Sequence, residues 1–385
     1  MTDITSTIRI ANELNNSGIT DKYFFPLDEK NLFNIKKTFS KELNSYLDTN
    51  LNNIKTNKYF DLITNSFYSE EILTIEIGGS KTTVQLLQIV AIPTPRILPI
   101  KDAIVLKTIQ PPPSKNISYK DFISWICEII NLNKKDTKKI AINLAGAVDS
   151  KGKILLTPPN IYTEDLTGKN IIKDLNKELP ELIINIFNDS ESLIAAQYFY
   201  DKKNLYNIFI DINGTGNNSS VLKQNNIVQN LESGHAKCVP IYNTFEEIEE
   251  AVSGRRGIER MFNKIAHKNN LSTSFIFAPE IYDLAFSNGK DIINKLAFLT
   301  YERAFFYKAL SFISLDNYFR NKKEISNKQT VFILFGGINK AEKTIPELKK
   351  YLDFFQSDIQ LDYCVFGEEA GRYGAAILAN SSHTF

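Results

Sequence analysis

Alternation of apolar and polar residues is clearest over residues 71–89, EILTIEIGGSKTTVQLLQI. Period two runs over 73–77, breaks at Gly78-Gly79-Ser80, and resumes over 83–89, which predicts a β-hairpin. KDAIVLKTI (101–109) predicts a third strand, and Pro111-Pro112-Pro113 breaks the regularity after it. SYKDFISWICEIINL (118–132) carries apolar residues at helical spacing, with Ser118 placed as an N-cap. KKIAINLA (138–145) predicts a short buried strand entering a turn at Gly146, and LLTPPN (155–160) a loop. IIKDLNKEL (171–179) predicts a helix, ELIINIFND (181–189) another buried strand, and 190–201 a further helix. Strands alternating with helices imply a mainly parallel sheet with right-handed crossovers.

The order then restarts. LYNIFIDI (205–212) predicts a strand, Gly214-Thr215-Gly216 a turn, and 219–222 a second strand. Helical patterns follow over 244–267, 278–286 and 290–320. VFILF (331–335) runs into Gly336-Gly337, and a strand near 361–365 precedes a helix over 368–379 that is rich in small residues. Two halves that each open with a Gly-turn hairpin and continue into βα units predict a duplicated fold, with a period too long for a solenoid. Residues 1–70 stand apart. Leu32, Ile35, Phe39, Leu43 and Leu47 recur at helical spacing, predicting one or two amphipathic helices. The segment holds 8 basic and 9 acidic residues, whereas arms that contact phosphate are usually basic. It reads as a packing or dimerisation element.

Bulk composition changes the picture little. The 385 residues suit two domains or lobes, and 43% hydrophobic with 23% charged residues is ordinary for a globular core. A net charge of +1 advertises neither a nucleic-acid nor a membrane surface. Cys127, Cys238 and Cys364 are scattered and odd in number, which suits a reducing cytosol better than a disulfide framework. With a polar N-terminus and no apolar run near ~18 residues, a soluble cytoplasmic protein is expected.

The candidate chemistry begins at the glycine turns. A turn without Cβ atoms lets a phosphate approach backbone N–H groups closely. Gly78, Gly79 and Ser80 offer this, and Lys81 adds a positive charge. Gly214, Thr215 and Gly216 repeat the arrangement in the second half. Two such turns at equivalent places suggest one nucleotide gripped from two lobes. Gly336-Gly337, after a buried strand, could let a base or ribose pack on bare backbone, or simply turn the chain from strand to helix. Asn188 and Asp189 stand at the C-terminal end of a strand, where α/β sheets place ligands. Asp189 could accept a proton or cap the helix that follows. Glu232 and His235, three apart in ESGH, could bind vicinal hydroxyls.

In order along the chain stand IEIGGSKTT, LAGAVDSKGKILLTPPN, FNDSESLIAA, NGTGNNSS, ESGH, EEAVSGRRGIER, LFGGINK and GEEAGRYGAAILA. Together they resemble a sugar kinase of the actin/hexokinase/Hsp70 superfamily, close to the ROK family and to glucokinases and hexokinases, over about residues 71–380. The resemblance implies an α/β, two-lobed actin-like ATPase (ribonuclease H-like) fold with a duplicated βββαβαβα core and an interlobe cleft. It implies a helical extension over 1–70, a small α/β domain over 71–188 completed by a C-terminal helix at 366–385, and a large α/β domain over 189–365. The first and second phosphate motifs fall on Gly78, Gly79, Ser80 and Lys81 and on Gly214, Thr215 and Gly216, and the adenosine motif on Gly336 and Gly337. Asn188 becomes a sugar contact and Asp189 the general base. Glu232, His235, Asn160 and Glu249 (or its neighbour Glu250) join the sugar side.

Two departures from the pattern stand out. The motif usually opens with Asp before its glycines, holding Mg²⁺ through water; here it is Glu76, one methylene longer. Many ROK proteins carry a zinc-binding cysteine cluster after the Gly-His motif, but only Cys238 lies near His235, so no zinc is expected. The implied function is an ATP- and Mg²⁺-dependent hexose kinase acting on the 6-hydroxyl of glucose or a close relative. The alternatives are a sugar-sensing regulator or pseudokinase, and an N-acetylhexosamine kinase. Sugar and nucleotide are the expected partners, with neither nucleic acid nor membrane, and a homodimer is compatible with the resemblance.

Overall fold

The fold is described from a computed structural model of the chain. The structure describes residues 3–53, 58–59, 70–78, 82–90, 96–99, 106–109, 118–149, 151–156, 166–200, 206–214, 217–224, 227–241, 244–248, 250–287, 289–364 and 366–381.

Helices α1 (Ile4–Asn16) and α2 (Glu29–Asn53) come first; Asp3 caps α1 by accepting the Ser6 N–H at 2.6 Å. A two-residue strand, β1 (Lys58–Tyr59), follows. The expected hairpin is β2 (Glu70–Ile77) and β3 (Thr82–Val90), in unbroken antiparallel register from Glu70 with Ile89 to Ile77 with Thr82. β4 (Arg96–Pro99) and β5 (Leu106–Ile109) both pair with β3. Helix α3 (Tyr119–Asn133) starts at the Ser118 cap, and β6 (Lys139–Leu144) pairs parallel with β2. A small hairpin, β7 (Ala147–Val148) with β8 (Ile154–Leu156), occupies part of the expected loop. Then come α4 (Ile171–Glu178), β9 (Ile183–Asn188), which pairs parallel with β6, and α5 (Asp189–Tyr200).

The second half opens with β10 (Asn207–Asn213), β11 (Asn217–Leu222) and β12 (Ile227–Asn230). β13 (Lys237–Ile241) and β14 (Thr244–Ile248) form a separate antiparallel pair. The start of the helix expected over 244–267 is therefore a strand. The run of glutamates suggests a helix, yet Thr244 and Phe245 favour extended backbone and β13 supplies the ladder. Helices α6 (Glu250–Ser253), α7 (Arg255–Lys268), α8 (Ala278–Phe286) and α9 (Ile292–Asn321) follow. β15 (Thr330–Phe335), α10 (Thr344–Phe354), β16 (Gln360–Tyr363) and α11 (Ala370–Ser381) complete the order.

The duplication is visible in the sheets. One runs β4-β3-β2-β6-β9 and the other β12-β11-β10-β15-β16, with β1 added at the β12 edge. Each is an antiparallel meander carried on into two further strands.

The chain divides into two compact units. The first comprises Met1–Asn52, Asp211–Ser219 and Leu231–Tyr363. Its centre is α9, buried nearly all round, as its lack of a polar face requires. Phe312 of α9 stacks on Phe332 of β15 at 4.0 Å. The N-terminal helices belong to this core: Leu32, Phe39, Leu43 and Leu47 of α2 are buried, Phe39 lies 6.0 Å from the ring of Tyr307, and Ser40 bonds Ser314 at 2.7 Å.

The second unit comprises Asn53–Ile210, Ser220–Asn230 and Cys364–Phe385. On one face of its sheet, Leu73, Ile75, Ile77, Ile140, Ile142, Ile184 and Ile186 pack with Phe122 and Ile126 of α3 and Ile171 and Leu175 of α4. The other face carries α5 and α11. These two helices cross very closely, since a Cβ on Gly374 would lie 1.6 Å from the carbonyl oxygen of Ser192.

Candidate functional site

In the second unit, three strands end level. The parallel register pairs Ile77 with Leu144 and Leu144 with Asn188. Gly78, the Ala145-Gly146 turn and Asp189 therefore emerge at one sheet edge, the C-terminal one, where α/β proteins bind ligands. The Ala145 N–H donates to the Ile77 carbonyl at 3.3 Å, tying the first two turns together. Asn188 is 1% exposed, and its Nδ2 donates to the Gly146 carbonyl at 2.8 Å.

Asn188 also takes much of the capping work that Asp189 could have done. Its Oδ1 accepts the Ser190 N–H at 2.9 Å and the Ser190 hydroxyl. Glu191 Oε2 returns the bond to the Asn188 N–H at 3.0 Å, in the manner of a capping box. Asp189, half-buried, accepts the Ser190 N–H on Oδ1 at 2.8 Å. The Ser190 hydroxyl pairs further with Ser220.

Glu76 lies in the same unit, one residue before the edge. Arg372 of α11 donates to its Oε2 at 3.2 Å, while Arg372 Nε donates to Gln85 Oε1 at 2.8 Å. A Cβ at Gly371 would sit 2.7 Å from Glu76 Oε1 and from Asn143 Nδ2, so the turn opening α11 rests on both side chains. Asn143 is 1% exposed, and neither its amide oxygen nor its nitrogen has a hydrogen-bond partner among the described residues.

In the first unit, Gly214 follows β10, and Gly336 and Gly337 follow β15. A Cβ on Gly336 would fall 2.2 Å from the Asn213 carbonyl oxygen, and its φ of +102° is one that L side chains avoid, so only glycine fits. The Gly336 turn and the end of β10 before Gly214 are thus in direct backbone contact. The Gly214 carbonyl accepts the Arg255 N–H at 3.4 Å, and Asn213 Nδ2 donates to the Ser253 carbonyl at 2.9 Å, which places the start of α7 at the same spot.

Beneath the turn lies a buried ionic network. Lys308 of α9 donates to Asp211 Oδ2 at 2.7 Å and to Asn217 Oδ1 at 2.9 Å, stapling the residues on either side of the turn. Asn339 Nδ2 reaches the same Asp211 oxygen at 2.8 Å. Neither Lys308 nor Asn339 was singled out from the sequence. A lone lysine inside the apolar run FFYKALSF was the available signal for Lys308.

Glu232 and His235 also belong to the first unit. They bracket a single turn of 3₁₀ helix, with Glu232 Oε2 3.7 Å from His235 Nε2. Glu232 is 5% exposed, while His235 is more open. Cys238 is buried, its thiol directed at the Ala236 carbonyl. Among the described residues, no three His, Cys, Asp or Glu side chains are grouped to hold a metal, and no helix is long and apolar enough to cross a membrane. Gly79, Ser80, Lys81, Asn160, Thr215, Gly216 and Glu249 lie outside the described residues.

No known family model matches the chain, and no curated protein does. Solved structures do. A hexokinase from Schistosoma mansoni, complexed with glucose, is similar over 98% of this chain and 100% of its own, with 14% identity and a TM-score of 0.68. A ROK family glucokinase from Streptomyces griseus, in complex with glucose and AMPPNP, covers 81% of this chain and 100% of its own, with 16% identity and a TM-score of 0.56. A ROK family transcriptional regulator, a homolog of the E. coli MLC protein, covers 81% of this chain and 78% of its own, with 15% identity and a TM-score of 0.58.

These likenesses show the fold. The chain has the α/β, actin-like architecture of the hexokinases and ROK proteins, and the resemblance drawn from the motifs holds at that level. The hexokinase likeness spans nearly the whole chain, so it takes in the N-terminal helices that the motifs left uncovered.

Proposed function

We propose that the chain is an ATP-dependent hexose kinase that transfers the γ-phosphoryl group to the 6-hydroxyl of glucose or a close relative. The observation that carries this reading is the level ending of β2, β6 and β9, with Asn188 and Asp189 beside the Gly78 and Gly146 turns. Transfer to a hydroxyl needs one carboxylate in reach of that proton. Asp189 accepts it as the sugar oxygen forms its bond to phosphorus and the bond to ADP breaks. Because Asn188 shares the capping of α5 and is fixed by Gly146, it holds Asp189 in place. Asn188, Glu232 and His235 bind sugar hydroxyls, joined by Asn160 and Glu249.

On the nucleotide side, Gly78, Gly79, Ser80 and Lys81 and Gly214, Thr215 and Gly216 offer backbone donors to phosphates, and Gly336 and Gly337 take the adenosine. Magnesium, when bound, neutralises phosphate charge in such transfers. Glu76 is its expected contact, yet Arg372 donates to Glu76 Oε2 at 3.2 Å, so magnesium held there would compete with that ion pair. That engagement favours a second reading: a sugar sensor of the same fold that binds without turnover.

ADP release from ATP with magnesium, over glucose, mannose, fructose, N-acetylglucosamine and N-acetylmannosamine, separates these readings. Turnover with one sugar is expected, and Asp189→Asn should lower kcat by roughly 10²-fold or more while retaining sugar binding. Near-wild-type turnover in that variant would remove Asp189 from its role. Thermal stabilisation by a sugar without ADP release would favour the sensor, and turnover only with an N-acetyl sugar would make the enzyme an N-acetylhexosamine kinase.

A further inference from the structure

We infer that Tyr46, on N-terminal helix α2, is a positioning residue for sugar binding, holding the Glu232 turn in its binding shape. The inference rests on reading Glu232 and His235 as sugar contacts. Glu232 has φ +46° and ψ +35°, the left-handed region, which residues bearing a Cβ disfavour. Such a conformation lasts only where its surroundings hold it.

Two donors hold this one. The His235 N–H reaches the Glu232 carbonyl at 3.0 Å from within the turn, and the Tyr46 hydroxyl reaches the same oxygen at 2.9 Å from outside. The outside donor stands on a firm base. α2 is fastened to α9 by Ser40 to Ser314 at 2.7 Å and by the Tyr318 hydroxyl to Asp48 Oδ1 at 2.9 Å. Burial first, and then the negative charge of Glu232, raise the pKa of the Tyr46 hydroxyl, so it stays protonated and donating. Fixing the carbonyl fixes the direction in which the Glu232 side chain leaves the backbone. Without Tyr46, the residue can relax toward ordinary backbone angles and carry its carboxylate away from His235. A segment outside every recognised sugar-kinase motif would thus set sugar affinity.

Tyr46→Phe removes the hydroxyl and keeps the ring. Tyr318→Phe is the control, because it loosens α2 without touching Glu232. Steady-state kinetics with the sugar that the wild type uses, together with sugar-induced thermal shifts in the absence of ATP, read both variants. In Tyr46→Phe the sugar KM should rise roughly five-fold, the size of one neutral hydrogen bond, with kcat and the ATP KM nearly unchanged. The sugar-induced shift should shrink in parallel. Tyr318→Phe should melt earlier but keep its sugar KM. An unchanged sugar KM in Tyr46→Phe, or equal changes in both variants, overturns the inference while leaving the functional reading intact. A wild type that neither binds nor phosphorylates any sugar overturns both.

Discussion

The two glycine-turn hairpins look alike in sequence, IEIGG in the first half and IDING in the second, and each sets a carboxylate shortly before its turn. Both carboxylates are met by a cation from a distant helix. Asp211 meets Lys308 at 2.7 Å, with side chains 1% and 2% exposed. Glu76 meets Arg372 at 3.2 Å, with side chains 22% and 7% exposed. The first pair is sealed and shares its acid with Asn339, so it acts as a lock beneath the turn. The second reaches partial solvent and stands beside the edge where Asp189 emerges. The two carboxylates share a placement just before the turn but differ in environment.

The sharpest way to break this comparison is Lys308→Met. Removing one partner leaves Asp211 buried with its charge uncompensated, which should cost roughly 3–5 kcal/mol, read from the urea midpoint at unchanged m-value. Adding Asp211→Asn should recover much of that loss. A cost near zero would mean that the network is no lock.

Glu302 offers a second buried acid for contrast. It is fully buried on α9, bonded by Tyr351 at 2.5 Å and by Thr7 of α1 at 3.0 Å, with Lys350 alongside, and its Oε1 lacks a partner among the described residues. Burial dominates and lifts its pKa from 4.5 to about 7, against the pull of Lys350. Between those values the folded chain binds the extra proton, so this group's contribution to stability falls as pH rises through that window. Glu302→Gln should flatten that slope in urea titrations run from pH 4.5 to 7.5, and an unaltered slope would assign the pH dependence elsewhere.

The smallest effect is expected from Arg372→Gln, about 1 kcal/mol, as suits a partly hydrated pair. A loss as large as that of Lys308→Met would place both hairpins in one class.

Much of this was legible in the chain itself. Period two around Gly78-Gly79 sets the β2–β3 hairpin, and the apolar run ending at Asn188 sets the edge where Asp189 stands. The helical spacing of Leu32, Phe39, Leu43 and Leu47 marked a buried face on α2. What that face meets was not legible, because hydrophobic spacing names a surface and not its partner. The same holds for the cations. Lys308 lies 97 residues from Asp211, and Arg372 lies 296 from Glu76, and nothing local encodes either meeting. The strand β14 was hidden because its extended form depends on pairing with β13, while its own glutamates suit a helix.

The close crossing of α5 and α11 at Gly374 also bears on how the protein is made. α5 begins with Asp189 and ends at Tyr200, whereas α11 begins at Ala370. At ribosomal rates of roughly 5–20 residues per second, the intervening stretch takes on the order of ten to thirty seconds to synthesise. Throughout that interval the face of the sheet that α11 covers, with the edge bearing Asp189, lacks its final support. Asp189 therefore leaves the ribosome long before the helix that completes its sheet, and a ribosome stalled within α9 would leave a nascent chain still lacking α11.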